Sequence, residues 1–170
     1  TNRDYPEIFE YLGWCSWDAM GIKVNEHDLI KKCTEFKEKN IPVRWAIIDD
    51  MWGEVHDFYD NTYDTREEML KLMASSKLFS FKPDPKRFPN GLKTCIEKMN
   101  EYNIKVGMWH PITGYWMGID PEGEIYKELN DCIIRSTDNT KYIPDYKKVI
   151  PILFVTLGFG LIGFLDDYIK

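Results

Sequence analysis

The chain has 170 residues, with 22 Lys and Arg against 28 Asp and Glu, for a net charge of −6. That length supports one globular domain and is short for two ordinary ones. The acidic balance, without any run of Lys and Arg long enough to track phosphates, argues against a nucleic-acid surface. Disorder is ruled against by 6 Trp, 10 Tyr and 9 Phe, since disordered chains are poor in aromatic residues.

In chain order, Tyr11 to Cys15 (YLGWC) is a short apolar run that predicts a strand. Leu29, Ile30, Cys33 and Phe36 then recur at three- and four-residue steps, which predicts a helix over 26–39. Asn25 is placed to cap its start, and Asn40 with Pro42 to end it. Val43 to Ile48 (VRWAII) is apolar nearly throughout, as expected of a strand buried on both faces. Between Met51 and Asn90 one short helix is expected over 65–75, the remainder being Pro-, Asp- and Phe-rich loop. Connections of that length inside a compact domain are usually functional. A helix over 92–102 and a strand over 104–109 (IKVGMW) come next.

Three strands separated by helices predict a parallel sheet with right-handed crossovers. A doubly wound sheet and a (β/α)₈ barrel both begin this way. A dinucleotide-binding sheet would place GxGxxG after its first strand, where this chain reads GWCSWD. The four cysteines, Cys15, Cys33, Cys95 and Cys132, form no CxxC pair, so their spacing supports neither zinc nor thioredoxin-type chemistry. No apolar leader opens the chain, which starts at Thr1; a fragment or processed product, cytoplasmic with free thiols, is the expectation.

From Val149 to Leu165 the sequence runs for 17 residues without a charge (VIPILFVTLGFGLIGFL), flanked by Lys147-Lys148 and Asp166-Asp167. As a helix it would span ~26 Å, slightly short of the ~30 Å hydrocarbon core of a bilayer. A C-terminal hydrophobic, membrane-associated helix and a buried element of the fold are both open. The change of composition near 148 divides the chain into 1–148 and 149–170.

In parallel α/β folds the chemistry collects at the C-terminal ends of the strands. Here those ends carry Ser16-Trp17-Asp18, Asp49-Asp50-Met51-Trp52, and Trp109-His110 followed by Gly114-Tyr115-Trp116. Each sets a tryptophan beside a polar or acidic group. Indoles cover the C–H face of a sugar ring and carboxylates accept from its hydroxyls, so the pattern reads as carbohydrate recognition. Trp14 and Trp45, inside apolar runs, read as core packing.

Asp49 and Asp50 are two carboxylates directly after a buried strand, costly unless paired or ligand-facing. Both reach one pocket only if the strand ends there and the chain turns; otherwise one faces the helices. Adjacent in sequence, they make a poor acid and nucleophile pair, which must flank the scissile bond ~5–5.5 Å apart. Asp18 and Asp49, on neighbouring strand ends ~4.8 Å apart, approach that spacing. His110 is placed for a general-base role or, more simply, a hydrogen bond to ligand. His27 and His56 read as surface residues.

The segments LGWCSWDAM, IIDDMW, SKLFSFKPDPKRFPNGL and VGMWHPITGYWMGIDPEGEIYKEL resemble, in order, the raffinose synthase and seed-imbibition branch of glycoside hydrolase family 36. The resemblance covers residues 5–148, and KYIPDY fits the continuation of the chain in that branch. It implies the first three or so units of a (β/α)₈ barrel and action on α-galactosides, by hydrolysis or galactosyl transfer with retention. It also implies that Asp49 and Asp50 bind galactose hydroxyls and that Trp17 and Trp109 line the pocket. Asp18, Trp52 and His110 complete the candidate substrate-binding set. The family usually has Gly at the position of Met51, which puts the turn after the strand in question. Its nucleophile and acid/base lie further along than this chain reaches, so no catalytic residue is assigned, no cofactor or metal is implied, and no independent turnover is expected.

The tail TLGFGLIGFLDDYIK resembles phospho-N-acetylmuramoyl-pentapeptide-transferase, a magnesium-dependent membrane enzyme of peptidoglycan synthesis. On that resemblance Asp166, Asp167 and Lys170 would belong to a magnesium site, and 149–165 would associate the chain with a membrane. The two resemblances share no pathway, so a chimeric origin of the junction is expected over a bifunctional enzyme. A non-catalytic galactose-binding remnant is the third reading.

Overall fold

The structure, a computed structural model, describes residues 10–56 and 63–148. The apolar segment 149–165, together with Asp166, Asp167 and Lys170, therefore lies outside the described residues. Among the described residues no helix is long and apolar enough to cross a membrane.

Strand β1 (Leu12–Cys15) runs into a one-turn helix α1 (Trp17–Met20) and then helix α2 (Glu26–Glu38). Asn25 caps α2 as expected: its backbone is extended, and its side chain accepts from the Asp28 amide at 2.9 Å. The far end stops at Asn40, whose φ of 53° is the left-handed conformation Asn tolerates, with Pro42 beyond. Strand β2 (Val43–Ile48) pairs parallel with β1, setting Gly13 beside Trp45 and Cys15 beside Ile47.

The long connection after β2 is not mostly loop. Strand β3 (Gly53–His56), helix α3 (Arg66–Ser75) and strand β4 (Lys77–Pro83) occupy much of it, with β3 and β4 antiparallel. Helix α3 starts on a reciprocal capping box between Thr65 and Glu68. The strands escaped the sequence because β4 hides its alternation: Leu78 and Ser80 are buried while the bulkier Phe81 is outside.

Helix α4 (Leu92–Asn100) leads to strand β5 (Lys105–Met108), which pairs parallel with β2. The sheet order β1-β2-β5 follows the chain without reversal. Helix α5 (Glu124–Glu128) and the antiparallel strands β6 (Ile133–Arg135) and β7 (Tyr142–Pro144) complete the described chain. Ile119 bridges β4 to β7, so β3, β4, β7 and β6 form one mixed layer at the rim. Gly118 makes that bridge possible. Its φ is 74°, and a β-carbon there would fall 2.1 Å from the Tyr142 carbonyl oxygen.

The core lies on one face of the parallel sheet. Ala46 and Ile48 of β2 meet Leu29 and Cys33 of α2 and Cys95 and Met99 of α4, all fully buried. Trp14 belongs to this face, edge-on to Phe36 of α2 at 5.5 Å. The opposite face carries Gly13, Cys15, Trp45, Ile47 and Gly107 and stays half-exposed or open. The expectation that β2 is buried on both faces thus holds for one face in the described residues. Trp45 lies flat over Gly13, where a β-carbon would fall 2.0 Å from the indole ring.

Candidate functional site

The three parallel strands end at one edge, and backbone hydrogen bonds hold those ends in register. The Ser16 amide donates to the Ile47 carbonyl and the Trp109 amide to the Ile48 carbonyl, both at 3.0 Å. Ser16 is fully buried, and its hydroxyl oxygen accepts from the Asp49 amide at 2.9 Å. The first carboxylate of the pair is thereby fixed at its backbone.

Asp49 continues the alternation of Trp45 and Ile47, so it points to the half-open face. There the Cys15 thiol donates to its carboxylate at 2.8 Å, and the other oxygen accepts from the Asp50 amide at 2.7 Å. Loss of water, then the bond to Asp49, pushes the Cys15 pKa up and keeps the thiol protonated as a donor. All four cysteines are free thiols.

Asp50 turns elsewhere. Met51 follows it with a φ of 71°, left-handed, and is itself fully buried. This is the position where the family resemblance led to an expected glycine, and the backbone here is one glycine adopts at no cost. Asp50 continues the alternation of Ala46 and Ile48 and points into the protein, at 2% exposure, so the two carboxylates do not share one pocket. Its carboxylate accepts from the Tyr115 hydroxyl, in a short bond, and from the Trp116 indole N–H at 2.7 Å. The Tyr115 oxygen in turn accepts from the Met51 amide at 2.9 Å. Burial pushes the Asp50 pKa up, Asp49 adds to the shift, and the Tyr115 and Trp116 donors pull it back.

Tryptophans frame the pair. Trp109 stacks on Trp116 with ring centroids 6.0 Å apart and meets Tyr115 edge-on at 6.2 Å. The Trp52 indole N–H donates to the Trp109 carbonyl at 2.6 Å, binding the end of β2 to that of β5. His110 keeps an exposed edge, yet Phe81 and Trp52 crowd its ring at 5.2 and 6.4 Å. That partial loss of water lowers its pKa and favours the neutral ring.

The structure therefore brings Asp49, Asp50, Trp52, Trp109 and His110 to one edge. Trp17, half-buried against the core, and exposed Asp18 sit just past β1 and join the group through Ser16 and Cys15. Tyr115, Cys15 and Ser16 are functional neighbours that sequence reasoning did not assign. Tyr115 adjoins a tryptophan in the strand-end segment, but its link to Asp50 spans 65 residues. Among the described residues no group of three or more His, Cys, Asp or Glu is arranged to hold a metal ion.

The described residues form a parallel α/β unit whose strand ends gather carboxylates and indole rings at one edge, the class of fold in which sites collect at strand C-termini. Comparison with known proteins narrows this class. The profile described as "Raffinose synthase or seed imbibition protein Sip1" matches residues 1–162, and the chain belongs to that family. It is 33% identical over 169 residues to a probable galactinol–sucrose galactosyltransferase of Arabidopsis thaliana, covering 95% of this chain and 22% of that protein. A glycoside hydrolase family 36 α-galactosidase of Geobacillus stearothermophilus, solved with raffinose, shares the fold with a TM-score of 0.54 at 19% identity. That likeness covers 89% of this chain and 19% of the other. The chain thus spans about a fifth of the length of these proteins. A stretch of 24 residues, 14% of the chain, is 67% identical to a phospho-N-acetylmuramoyl-pentapeptide-transferase of Acetivibrio thermocellus and covers 7% of that protein.

Proposed function

We propose that this chain forms the galactose-recognising part of an enzyme that acts on α-galactosides of the raffinose type, by retaining hydrolysis or galactosyl transfer. One observation carries the reading: Asp50 is buried at 2% exposure and clamped by two donors, directly beside a half-open Asp49. A protein bears the cost of burying a carboxylate where its placement matters.

On this reading β1, β2 and β5 are the first three strands of a (β/α)₈ barrel, and their half-exposed face is the barrel interior. Each carboxylate oxygen has two lone-pair sites, so Asp49 retains acceptor capacity after binding Cys15 and the Asp50 amide. Two neighbouring sugar hydroxyls would fill it. Trp17, Trp52 and Trp109 would cover the apolar face of the ring, with Asp18 and His110 at its edge. The described residues supply recognition, and no nucleophile is assigned among them.

Calorimetric titration of galactose against the native chain and Asp49→Ala tests this. Binding by the native chain and its loss in the variant are expected, whereas equal signals would remove the site. Release of an aryl leaving group from an aryl α-galactoside by residues 1–170 would overturn the division between recognition and cleavage.

A further inference from the structure

We propose that Cys15 is a positioning residue for sugar recognition, its thiol holding the Asp49 carboxylate in the direction from which it accepts sugar hydroxyls. The inference rests on the strand ends being the galactose site.

The end of β1 grips Asp49 at two points. The buried Ser16 hydroxyl oxygen accepts from the Asp49 amide at 2.9 Å, which fixes the backbone. Cys15, one residue earlier, faces the same half-open side as Asp49 and donates its thiol proton to one carboxylate oxygen at 2.8 Å. The Asp50 amide donates to the other oxygen at 2.7 Å. With one donor on each oxygen, the carboxylate cannot rotate without losing both bonds. The Asp50 amide belongs to the backbone and serves whatever residue stands at 15. Among the described residues the Cys15 thiol is the one side-chain donor to Asp49.

A thiol does this only while it keeps its proton. Loss of water, then the bond to Asp49, push its pKa above the 9.0 of a free thiol; the Asp49 and Asp18 charges add to the shift and the Trp17 amide opposes it. Asp49 at the end of β2 and Asp18 on α1 are the charged groups that face the sulfur. Both are acidic, so neither favours the thiolate. Once ionised, the sulfur has no proton to give and repels the carboxylate beside it. The hold on Asp49 therefore has an alkaline limit set by Cys15.

The test titrates galactose against the native chain, Cys15→Ala and Cys15→Ser, from neutral pH to about pH 10.5. Tryptophan fluorescence follows folding in each sample. At neutral pH Cys15→Ala should bind about tenfold more weakly, in keeping with one bond to a charged acceptor. Cys15→Ser sets a hydroxyl donor in the same place and should stay within about twofold of the native chain. Above 9.0 the native chain should lose affinity faster than Cys15→Ser, because every other group that titrates there is common to both. Undiminished binding in Cys15→Ala, no rescue by Cys15→Ser, or parallel pH profiles of the native chain and Cys15→Ser would each overturn the role. A loss of binding in Cys15→Ala that runs in step with unfolding would overturn it too, by showing that Cys15 serves the fold. If the native chain bound no galactose at neutral pH, the galactose reading itself would fall, and the role of Cys15 with it.

Discussion

Replacing Tyr115 by phenylalanine removes one oxygen, and two bonds go with it. The first is the donor to Asp50, a bond to a buried carboxylate. The second is the acceptor for the Met51 amide at 2.9 Å. Bonds to charged groups contribute about 1.5–3 kcal/mol, and a stranded buried donor costs about 1–3 kcal/mol. Partial compensation by the remaining Trp116 donor leaves about 3 kcal/mol for Tyr115→Phe at neutral pH. The cost should also depend on pH. Asp50 titrates in the folded protein above the 3.8 of a free aspartate. Its protonation therefore favours the folded state fully below 3.8, and that stability is lost as the pH climbs through the raised folded value. The Tyr115 bond pulls the folded value down, so its loss raises the value further and widens the window. Tyr115→Phe should be most damaging at neutral pH and shrink toward acid. Urea unfolding at several pH values, followed by tryptophan fluorescence, measures both. A cost under about 0.5 kcal/mol, or one that is flat with pH, would refute the clamp as the support of Asp50.

Two further substitutions probe the same edge and the helix layer. At Met51, with its φ of 71° and a fully buried side chain, truncation to Ala or Gly should each cost about 2–5 kcal/mol through the cavity left behind. The usual order should be inverted, with Gly more stable than Ala by about 1 kcal/mol because it adopts the left-handed backbone freely; unfolding free energies showing Ala equal or better would sink this account. Glu26 is buried at the start of α2, where it accepts from Asn90 and Lys98, the latter at 3.0 Å. Burial raises its pKa, but these donors together win and hold it below the usual glutamate value. Its contribution is present above 4.5 and lost as the pH falls through the lowered folded value. Glu26→Gln should thus destabilise by about 2 kcal/mol at pH 7 and converge on the native chain in acid, and a constant difference in thermal unfolding from pH 7 to acid would contradict it.

What the sequence makes legible here is the local code. Leu29 to Phe36 announce α2, and Asn25 and Asn40 punctuate it within a residue. The unbroken VRWAII run announces β2. The hairpin was illegible because β4 buries Ser80 beside Leu78 and leaves Phe81 outside, so its inward side is not uniformly apolar. At the strand ends the residue types were readable and their divergence was not. Asp49 and Asp50 point apart because each continues the alternation of β2, the alternative in which one carboxylate faces the helices. The partner that captures Asp50 comes from 65 residues away. Strand-end reasoning reached Trp52, Trp109 and His110 because it needs only the positions where strands stop.

The segment after β4 ties the hairpin to the helix layer. Asp84 caps the amides of Lys86 and Arg87, and the Arg87 carbonyl accepts from the Glu26 amide. The Arg87 guanidinium reaches the carbonyls of Ile22 and Val24, and Asn90 binds the Glu26 carboxylate. These contacts divide the inserted region into stretches of unequal evolutionary freedom. The contacts of the tie all lie outside the stretch between β3 and α3, so a change of length there leaves each of them in register. A change of one residue in length between Asp84 and Asn90 would shift every donor out of step with α2. Divergence in length among related chains should therefore collect on the outer side of the hairpin, where it would reshape the aromatic rim while Asp49 and Asp50 keep their place.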